Sequence, residues 1–233
     1  MRELVSCILA TRNRPRFFRQ AVRYFLRQRY EPSELVVVDD GEQPVAASCA
    51  GLDRVRYIRL QQPTATGTKL NIGIGHARGA ILQKLDDDDY YHPDFLSIAV
   101  EHLPAQDRDH CLVAWDCFLI LLAGEQQLRY SGHGWKAGGT FCFSRKLWER
   151  IHFRDLPSAV DSCFLLDHRP SVVPVCAPEH YVLVRHGRNT WTQMLDGEPA
   201  DQYLRGLPVY PRPMEELVDG GDHDFYHRLQ SAS

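Results

Sequence analysis

The sequence predicts an α/β fold, in which a mostly parallel sheet is flanked by helices. Short apolar runs of strand type alternate with segments of helical periodicity through the first hundred or so residues. Two of these runs end in aspartates, the usual place for a ligand in such a fold. The chain has 233 residues, of which 44% are hydrophobic and 24% charged, so it can fold as one large domain.

The first half carries four predicted strands and three predicted helices. The strands are expected at residues 3–10, 33–41, 54–60 and 80–85. The helices are expected at residues 14–30, 68–79 and 93–103. Pro93 fits the first turn of the third helix and Gly79 the end of the second.

The second half is less regular. We expect a small antiparallel strand pair from 111–123 and 126–132, where Asp116 interrupts the apolar run. A glycine-rich loop, a short strand and a helix are expected at 134–153, followed by a helix at 159–168 and a strand within 180–191. From 192 the chain is rich in Pro, Gly and Asp, which predicts a C-terminal extension or lid over 192–233.

Aspartates stand at two strand ends, Asp39 with Asp40 and the run Asp86–Asp89. Because the carboxyl ends of parallel strands meet at one edge of a sheet, these groups are expected to converge on one crevice. Carboxylates in this arrangement bind Mg²⁺ or Mn²⁺ through hard oxygen ligands. A solvated acidic turn is the alternative for the run itself.

Composition excludes several classes of protein. A net charge of −3 argues against a general nucleic-acid binder. No apolar run reaches the ~18 residues of a membrane span, and the N-terminus is too charged for a signal peptide, so we expect a cytoplasmic protein, with peripheral membrane association left open. The seven cysteines form no CxxC pair, which favours reduced core thiols over disulfides or zinc.

At this point the order of the motifs resembles family 2 glycosyltransferases. The matching pieces are "VSCILATRNRP", "LVVVDDG", "NIGIGHARGAILQKLDDDDYYHP", "GGTFCFSRKLWERIHF", "AVDSCF" and "RHGRNTW". The resemblance covers roughly residues 3 to 191. It implies a GT-A type, Rossmann-like fold, a nucleotide-sugar donor, a divalent metal (Mn²⁺ or Mg²⁺) and inversion at the anomeric carbon. It also implies a nucleotide-sugar-binding half at about 1–103 and an acceptor-binding half at about 104–191.

The resemblance assigns a donor site to the first strand ends. Asp40 would accept a hydrogen bond from the nucleobase. Ala10, Thr11 and Arg12 would line the same pocket. Lys69 matches a basic position that reaches the base or a phosphate.

The acidic run matches the family pattern D-x-D-D. Asp86 and Asp87 would lie near the ribose and the sugar, and Asp88 would coordinate the metal. A later loop would close over the diphosphate, with Arg188 and Asn189 as donor contacts. In the same loop His186 would add a metal ligand.

The acceptor side carries the implied catalytic residue. Gly138 and Gly139 fit the loop where acceptor and donor sugar meet, and Asp161 fits the general base. The family's Glu-Asp pair reads Val160-Asp161 in this chain. The base is therefore present, while the missing first acid leaves the acceptor more open.

The residues suit an inverting transfer, since a carboxylate can take the proton of an acceptor hydroxyl. A UDP-sugar is the favoured donor, with dTDP- and GDP-sugars left open. The acceptor is a glycan, a lipid-linked intermediate, a peptide or a small natural product. The rival interpretations are a nucleotidyltransferase, which would carry a glycine-rich loop where this chain has "TRNRP", a phospho-acceptor regulatory module, and a catalytically inactive nucleotide-binding relative.

Overall fold

A computed structural model describes residues 2–125, 127–191, 194–195 and 197–230. Its strands are Val5–Thr11 (β1), Ser33–Asp39 (β2), Val55–Arg59 (β3), Ile81–Leu85 (β4), Tyr90–Tyr91 (β5), Cys111–Cys117 (β6), Leu119–Leu122 (β7), Leu128–Tyr130 (β8), Cys142–Ser144 (β9), Ser171–Cys176 (β10), Tyr181–Arg185 (β11), Met194–Leu195 (β12) and Glu198–Pro199 (β13). Its helices are Pro15–Leu26 (α1), Thr66–His76 (α2), Phe95–His102 (α3), Arg145–Arg150 (α4), Val160–His168 (α5), Ala200–Arg205 (α6) and His223–Gln230 (α7). Within the described residues, none of the helices has both the length and the apolar character needed to cross a membrane.

The main sheet has seven strands in the order β10-β6-β9-β4-β1-β2-β3. Strand β1 pairs in parallel with β2 and β4, and the β2–β3 and β6–β10 pairs are also parallel. Only β9 runs antiparallel to both of its neighbours. The predicted mostly parallel sheet is therefore confirmed, and its parallel strands β1, β2 and β4 end at the same edge.

The central strands and their helices follow from local sequence. All seven residues of β2 are buried, as expected for a strand covered on both faces. Helix α1 starts at Pro15 and buries Phe18 and Phe25. Helix α2 contains glycines and still forms. A Cβ at Gly73 would lie 2.7 Å from Ile8 Cγ2, so this glycine permits close contact between the helix and β1.

The second half departs from the prediction. The run 111–123 is not one arm of a hairpin, because β6 joins the main sheet while β7 pairs antiparallel with β8 and parallel with β11. The predicted antiparallel pair is present as β7 and β8, and it belongs to a second sheet of four strands, ordered β5-β11-β7-β8. The edge strand β10 was not predicted, since Pro174 and mostly exposed or half-buried side chains hide its pattern.

The residues after 196 pack against the rest of the chain. Leu204, Met214 and Tyr226 are buried in the same hydrophobic cluster as β1 and β2 side chains. The buried Asp222 carboxylate pairs with Arg23 at 2.9 Å on helix α1. Residues 192–193, 196 and 231–233 of the expected lid lie outside the described residues, and its role as a lid stays a prediction.

Candidate active site

The acidic run lies directly after β4, at the sheet edge where β1 and β2 also end. The Thr11 hydroxyl, at the end of β1, donates to Asp87 Oδ2 at 2.5 Å. Lys69 Nζ donates to the Thr11 carbonyl at 3.3 Å and to Asp40 Oδ1, just after β2, at 2.7 Å. The structure therefore brings the two predicted acidic strand ends into one connected network.

The end of β2 contains two aspartates with different partners. Asp39 accepts from the backbone of Gly41 at 2.8 Å and from the Tyr57 hydroxyl at 2.8 Å, so it orders the loop after the strand. Asp40 accepts from Thr64 N at 2.7 Å as well as from Lys69. The Asp40 and Lys69 side chains are both buried, so this ion pair lies inside the protein at the end of β2.

Arg14 bridges two members of the acidic run. Its guanidinium lies 2.7 Å from Asp87 Oδ1 and 2.5 Å from Asp88 Oδ2. Burial raises the pKa of Asp87 to about 7, although the Arg14 charge opposes that shift. The Arg14 cation thus lies between the two carboxylates.

Asp88 also contacts the loop after β11. His186 Nε2 lies 3.0 Å from Asp88 Oδ2, and Asn189 Nδ2 donates to the same oxygen at 3.1 Å. Burial opposes ionisation of Asp88, but the His186 hydrogen bond and the Arg14 charge outweigh it and hold its pKa below the ordinary value. Asn189 Oδ1 in turn accepts from His186 N at 2.9 Å, which fixes the loop.

The spacing of Asp88 and His186 fits a shared divalent ion. Two ligands at right angles around an ion about 2.1 Å away are about 3.0 Å apart. The observed separation of Asp88 Oδ2 and His186 Nε2 is 3.0 Å. The Asp88 carboxylate oxygen is the hard ligand that Mn²⁺ or Mg²⁺ prefers, the His186 nitrogen would be a secondary ligand, and water and substrate phosphate would complete the shell.

The last aspartate of the run supports the fold. Asp89 Oδ2 accepts from the Tyr181 hydroxyl at 2.5 Å and Oδ1 accepts from Val184 N at 2.9 Å, so it joins the run to β11. Burial and the neighbouring carboxylates raise the pKa of Asp89 well above its ordinary value. The two hydrogen bonds make Asp89 a structural link between the acidic run and β11.

A second group of charges surrounds Lys84 in strand β4. Lys84 Nζ lies 2.8 Å from Asp86 Oδ1 and 3.3 Å from Asp161 Oδ2, and its side chain is only 5% exposed. Asp161 lies in the first turn of α5. A buried lysine thus holds the first aspartate of the run beside the predicted base.

Asp161 is incompletely satisfied. Among the described residues, its buried Oδ1 has no hydrogen-bond partner. Burial raises the pKa of Asp161 although the Lys84 charge opposes the shift. A Cβ at Gly138 would overlap the Asp161 carboxylate, which explains a glycine at that position. These properties suit a group that takes up a proton.

The glycine turn 138–140 is tied to the acidic run. The Tyr91 hydroxyl accepts from Asp86 N at 2.7 Å and donates to the Gly139 carbonyl at 3.0 Å. A Cβ on Gly139 would lie 2.7 Å from Asp86 Oδ2. The turn therefore passes directly over the Asp86 carboxylate, and its role as the meeting point of the two substrates stays a prediction.

The other residues predicted to bind the donor, Ala10, Arg12 and Arg188, lie outside the hydrogen-bonded network of the acidic run. Ala10 is half-buried and packs against the hydrophobic core, while Arg12 is exposed just after β1. Arg188 is exposed and lines an open cleft of about 630 Å³ together with Arg14 and His186. The cleft thus opens beside Asp88, with basic groups on its wall.

Two residues of the site were not predicted from the sequence. Arg14 was overlooked because it directly precedes the helix-starting proline. Lys84 was overlooked inside the strand "ILQKL". A lysine in an otherwise buried strand, two residues before an acidic run, was the available signal, because lysine is rarely buried unless it is paired.

The chain is similar to known glycosyltransferases. Residues 6–150 match the family model described as Glycosyl transferase family 2. An uncharacterized glycosyltransferase of Rickettsia felis is 32% identical over 133 residues, which are 54% of this chain and 21% of that protein. The match therefore spans about a fifth of the length of that relative.

Solved structures share the fold. S. aureus TarS 1-349 in complex with UDP-GlcNAc matches 82% of this chain and 61% of its own, with a TM-score of 0.60 and 18% identity. The mannosyltransferase PcManGT from Pyrobaculum calidifontis, in complex with GDP-Man and Mn²⁺, matches 82% of this chain and 59% of its own, with a TM-score of 0.63 and 19% identity. At these identities the likeness shows the GT-A fold.

Proposed function

The chain belongs to glycosyl transferase family 2, and on this premise we propose that it is an inverting transferase acting on a nucleotide-diphosphate sugar. One observation carries the proposal. Two carboxylates of the site have different partners, since Asp88 pairs with basic residues and Asp161 has one oxygen without a partner among the described residues. The first suits a diphosphate donor and the second suits deprotonation of an acceptor hydroxyl.

The donor is proposed to enter at the end of β2. Asp40 would exchange its bond to Thr64 N or Lys69 for a bond from the nucleobase, and Lys69 would remain as the nearby cation. UDP is the favoured nucleotide. The fold is shared with a structure that contains UDP-GlcNAc, while another contains GDP-Man, so GDP stays in the test.

Asp88 and His186 are proposed to hold the divalent ion, Mn²⁺ or Mg²⁺. Such an ion, when bound, neutralises charge that develops on the departing diphosphate. Arg14 keeps Asp87 as a partner when Asp88 turns to the ion. Asn189 holds the His186 loop in place, and Arg188 adds positive charge on the cleft wall.

Asp161 is proposed to act as the general base. Its Oδ1 would accept the proton of the acceptor hydroxyl, while Oδ2 stays with Lys84. The oxygen of the acceptor then attacks the anomeric carbon from the face opposite the nucleotide, which inverts that centre. The raised pKa of Asp161 brings it closer to working pH and makes it a better base than an ordinary aspartate.

Calorimetric titration with UDP, GDP and dTDP, each with Mn²⁺ and with chelator, tests the donor site. We expect binding of one nucleotide in the micromolar range, about −8 kcal/mol, that requires the ion. Asp88→Ala should abolish the ion-dependent part, whereas Asp53→Ala, an exposed carboxylate before β3, should not. Absence of binding by all three nucleotides would refute the donor assignment, and pyrophosphate release from a nucleoside triphosphate would identify a nucleotidyltransferase.

A further inference from the structure

We propose that Cys117, His133 and Cys176 form a zinc site at the ends of β6 and β10, separate from the acidic crevice. The ligating atoms of these three residues all lie within 4.8 Å of one another. The sequence predicted core thiols, but Cys176 is exposed on the edge strand. The residues are far apart in sequence and form no CxxC pair, so only the fold brings them together.

The pairing of β6 with β10 places the two cysteines side by side. The register shifts between Val175 and Cys176, and this irregularity sets Cys176 opposite Cys117. Both cysteines are free, and their Sγ atoms are 3.2 Å apart. Two thiols that face each other in this way are a preformed pair of soft ligands.

His133 reaches the pair from the loop after β8. Its Nδ1 lies 2.5 Å from Asp116 Oδ2, the residue directly before Cys117. Its Nε2 faces the Tyr130 hydroxyl at 3.3 Å. A carboxylate on Nδ1 fixes the ring and the tautomer that leaves Nε2 as the ligand, which is the usual arrangement behind zinc-bound histidines.

Two thiolates and one imidazole select zinc over the harder ions. Mg²⁺ and Mn²⁺ prefer oxygen, whereas Zn²⁺ binds sulfur and nitrogen in tetrahedral sites. Two sulfurs on one zinc ion lie about 3.7 Å apart, given Zn–S distances of about 2.3 Å. Cys176 can move outward by that difference because it is exposed on an edge strand. The fourth position falls to solvent, to which the His133 side chain is also open, at 63% exposure.

The zinc site would hold in place the segment 133–137, which leads to the glycine turn 138–140 of the candidate active site. Gly134 N donates to Asp116 Oδ1 at 2.9 Å and Trp135 N donates to the Asp116 carbonyl at 3.1 Å. The same segment continues to Gly138, which packs on the Asp161 carboxylate. An ion on His133 would therefore connect this segment to the ends of β6 and β10, a role that does not depend on the proposed transfer reaction.

Zinc analysis of the reduced full chain tests the proposal. We expect about one zinc ion per chain by elemental analysis and in competition with a chromophoric chelator. Co²⁺ in its place should give a thiolate charge-transfer absorption. Cys176→Ser and His133→Gln change exposed side chains and should abolish tight binding, whereas Asp116→Asn should weaken it about 10–100-fold.

Two control variants separate this site from the others. Asp88→Ala should keep the zinc ion, because it alters only the crevice, and Cys163→Ser should keep it because Cys163 lies outside the cluster. The proposal would be overturned by a wild-type chain that binds no zinc. It would also be overturned by zinc that is lost in Asp88→Ala but retained in Cys176→Ser. A Cys117–Cys176 disulfide found by peptide mapping of the reductant-free protein, with no zinc bound under reducing conditions, would overturn it in favour of a redox pair.

Discussion

Two aspartates of the candidate site, Asp88 and Asp161, have opposite surroundings. Asp88 lies among the basic and polar side chains of Arg14, His186 and Asn189. Asp161 shares the single cation Lys84 with Asp86. The pKa of Asp88 is lowered by its partners, while the pKa of Asp161 is raised by burial. We call Asp88 with its basic and polar partners the paired group, and Asp161 with Lys84 the open group.

The difference shows that residue type does not decide the chemistry of a carboxylate. The paired group is stabilised as an anion, which suits a cation or a diphosphate complex. The open group favours the protonated form more than an ordinary aspartate does, which suits proton uptake. Because their environments shift the two pKa values in opposite directions, Asp88 suits donor binding and Asp161 suits base catalysis.

Removing the open group should have the largest effect. Asp161→Asn keeps the size of the side chain and its contact with Lys84 but removes the base. We expect sugar transfer to fall about 10²–10⁴-fold. Nucleotide affinity should stay unchanged in calorimetry. Transfer at a near-normal rate in this variant would show that another group takes the proton.

Removing the paired group should act on binding first. Asp88→Ala takes away the oxygen that contacts Arg14, His186 and Asn189. We expect nucleotide affinity in Mn²⁺ to fall on the order of 100-fold, about 2.7 kcal/mol, to its value in chelator. Urea unfolding of the variant serves as the control for global damage. Affinity that still responds to Mn²⁺ would place the ion elsewhere.

The sequence predicts the position of the paired group better than the contacts of the open group. The run Asp86–Asp89 after an apolar strand is visible in the sequence, and the position of β4 beside β1 explains why it meets Thr11. The bridging role of Lys84 depends on how far α5 approaches β4, which is a tertiary distance. The sequence shows a lysine in a buried strand, but no local pattern reports the distance that gives Lys84 its two partners.

The second sheet shows the same limit. The run 111–123 predicts strands through its apolar residues, but β6 and β7 enter different sheets. The partner of each is set by strands far away in sequence, β10 for β6 and β11 for β7. Periodicity identifies a buried strand, whereas pairing depends on the whole topology.

Changing Lys84 should make the two groups more different. Lys84→Met leaves Asp86 and Asp161 without their shared cation, so the pKa of Asp161 should rise further above its ordinary 3.8. Because only the ionised base accepts a proton, transfer is lost as pH falls through this pKa. The acid limb of kcat/KM should therefore move to higher pH in Lys84→Met than in the wild type. Lys84→Arg keeps the positive charge, so its acid limb should lie closer to that of the wild type. An acid limb that does not move in Lys84→Met would show that Lys84 does not influence the base.

The smallest effect is expected at the fourth aspartate, which belongs to neither group. Asn at position 89 can still accept from Val184 N and can donate to the Tyr181 hydroxyl, so both hydrogen bonds of Asp89 have a replacement. The raised pKa of Asp89 already favours an uncharged side chain there. Asp89→Asn should therefore change the free energy of unfolding by about 1 kcal/mol or less in urea titration, and leave transfer intact. Asp88→Asn is the matched control one residue earlier. If Asp89→Asn reduced nucleotide affinity as strongly as that control does, Asp89 would have to be counted in the paired group.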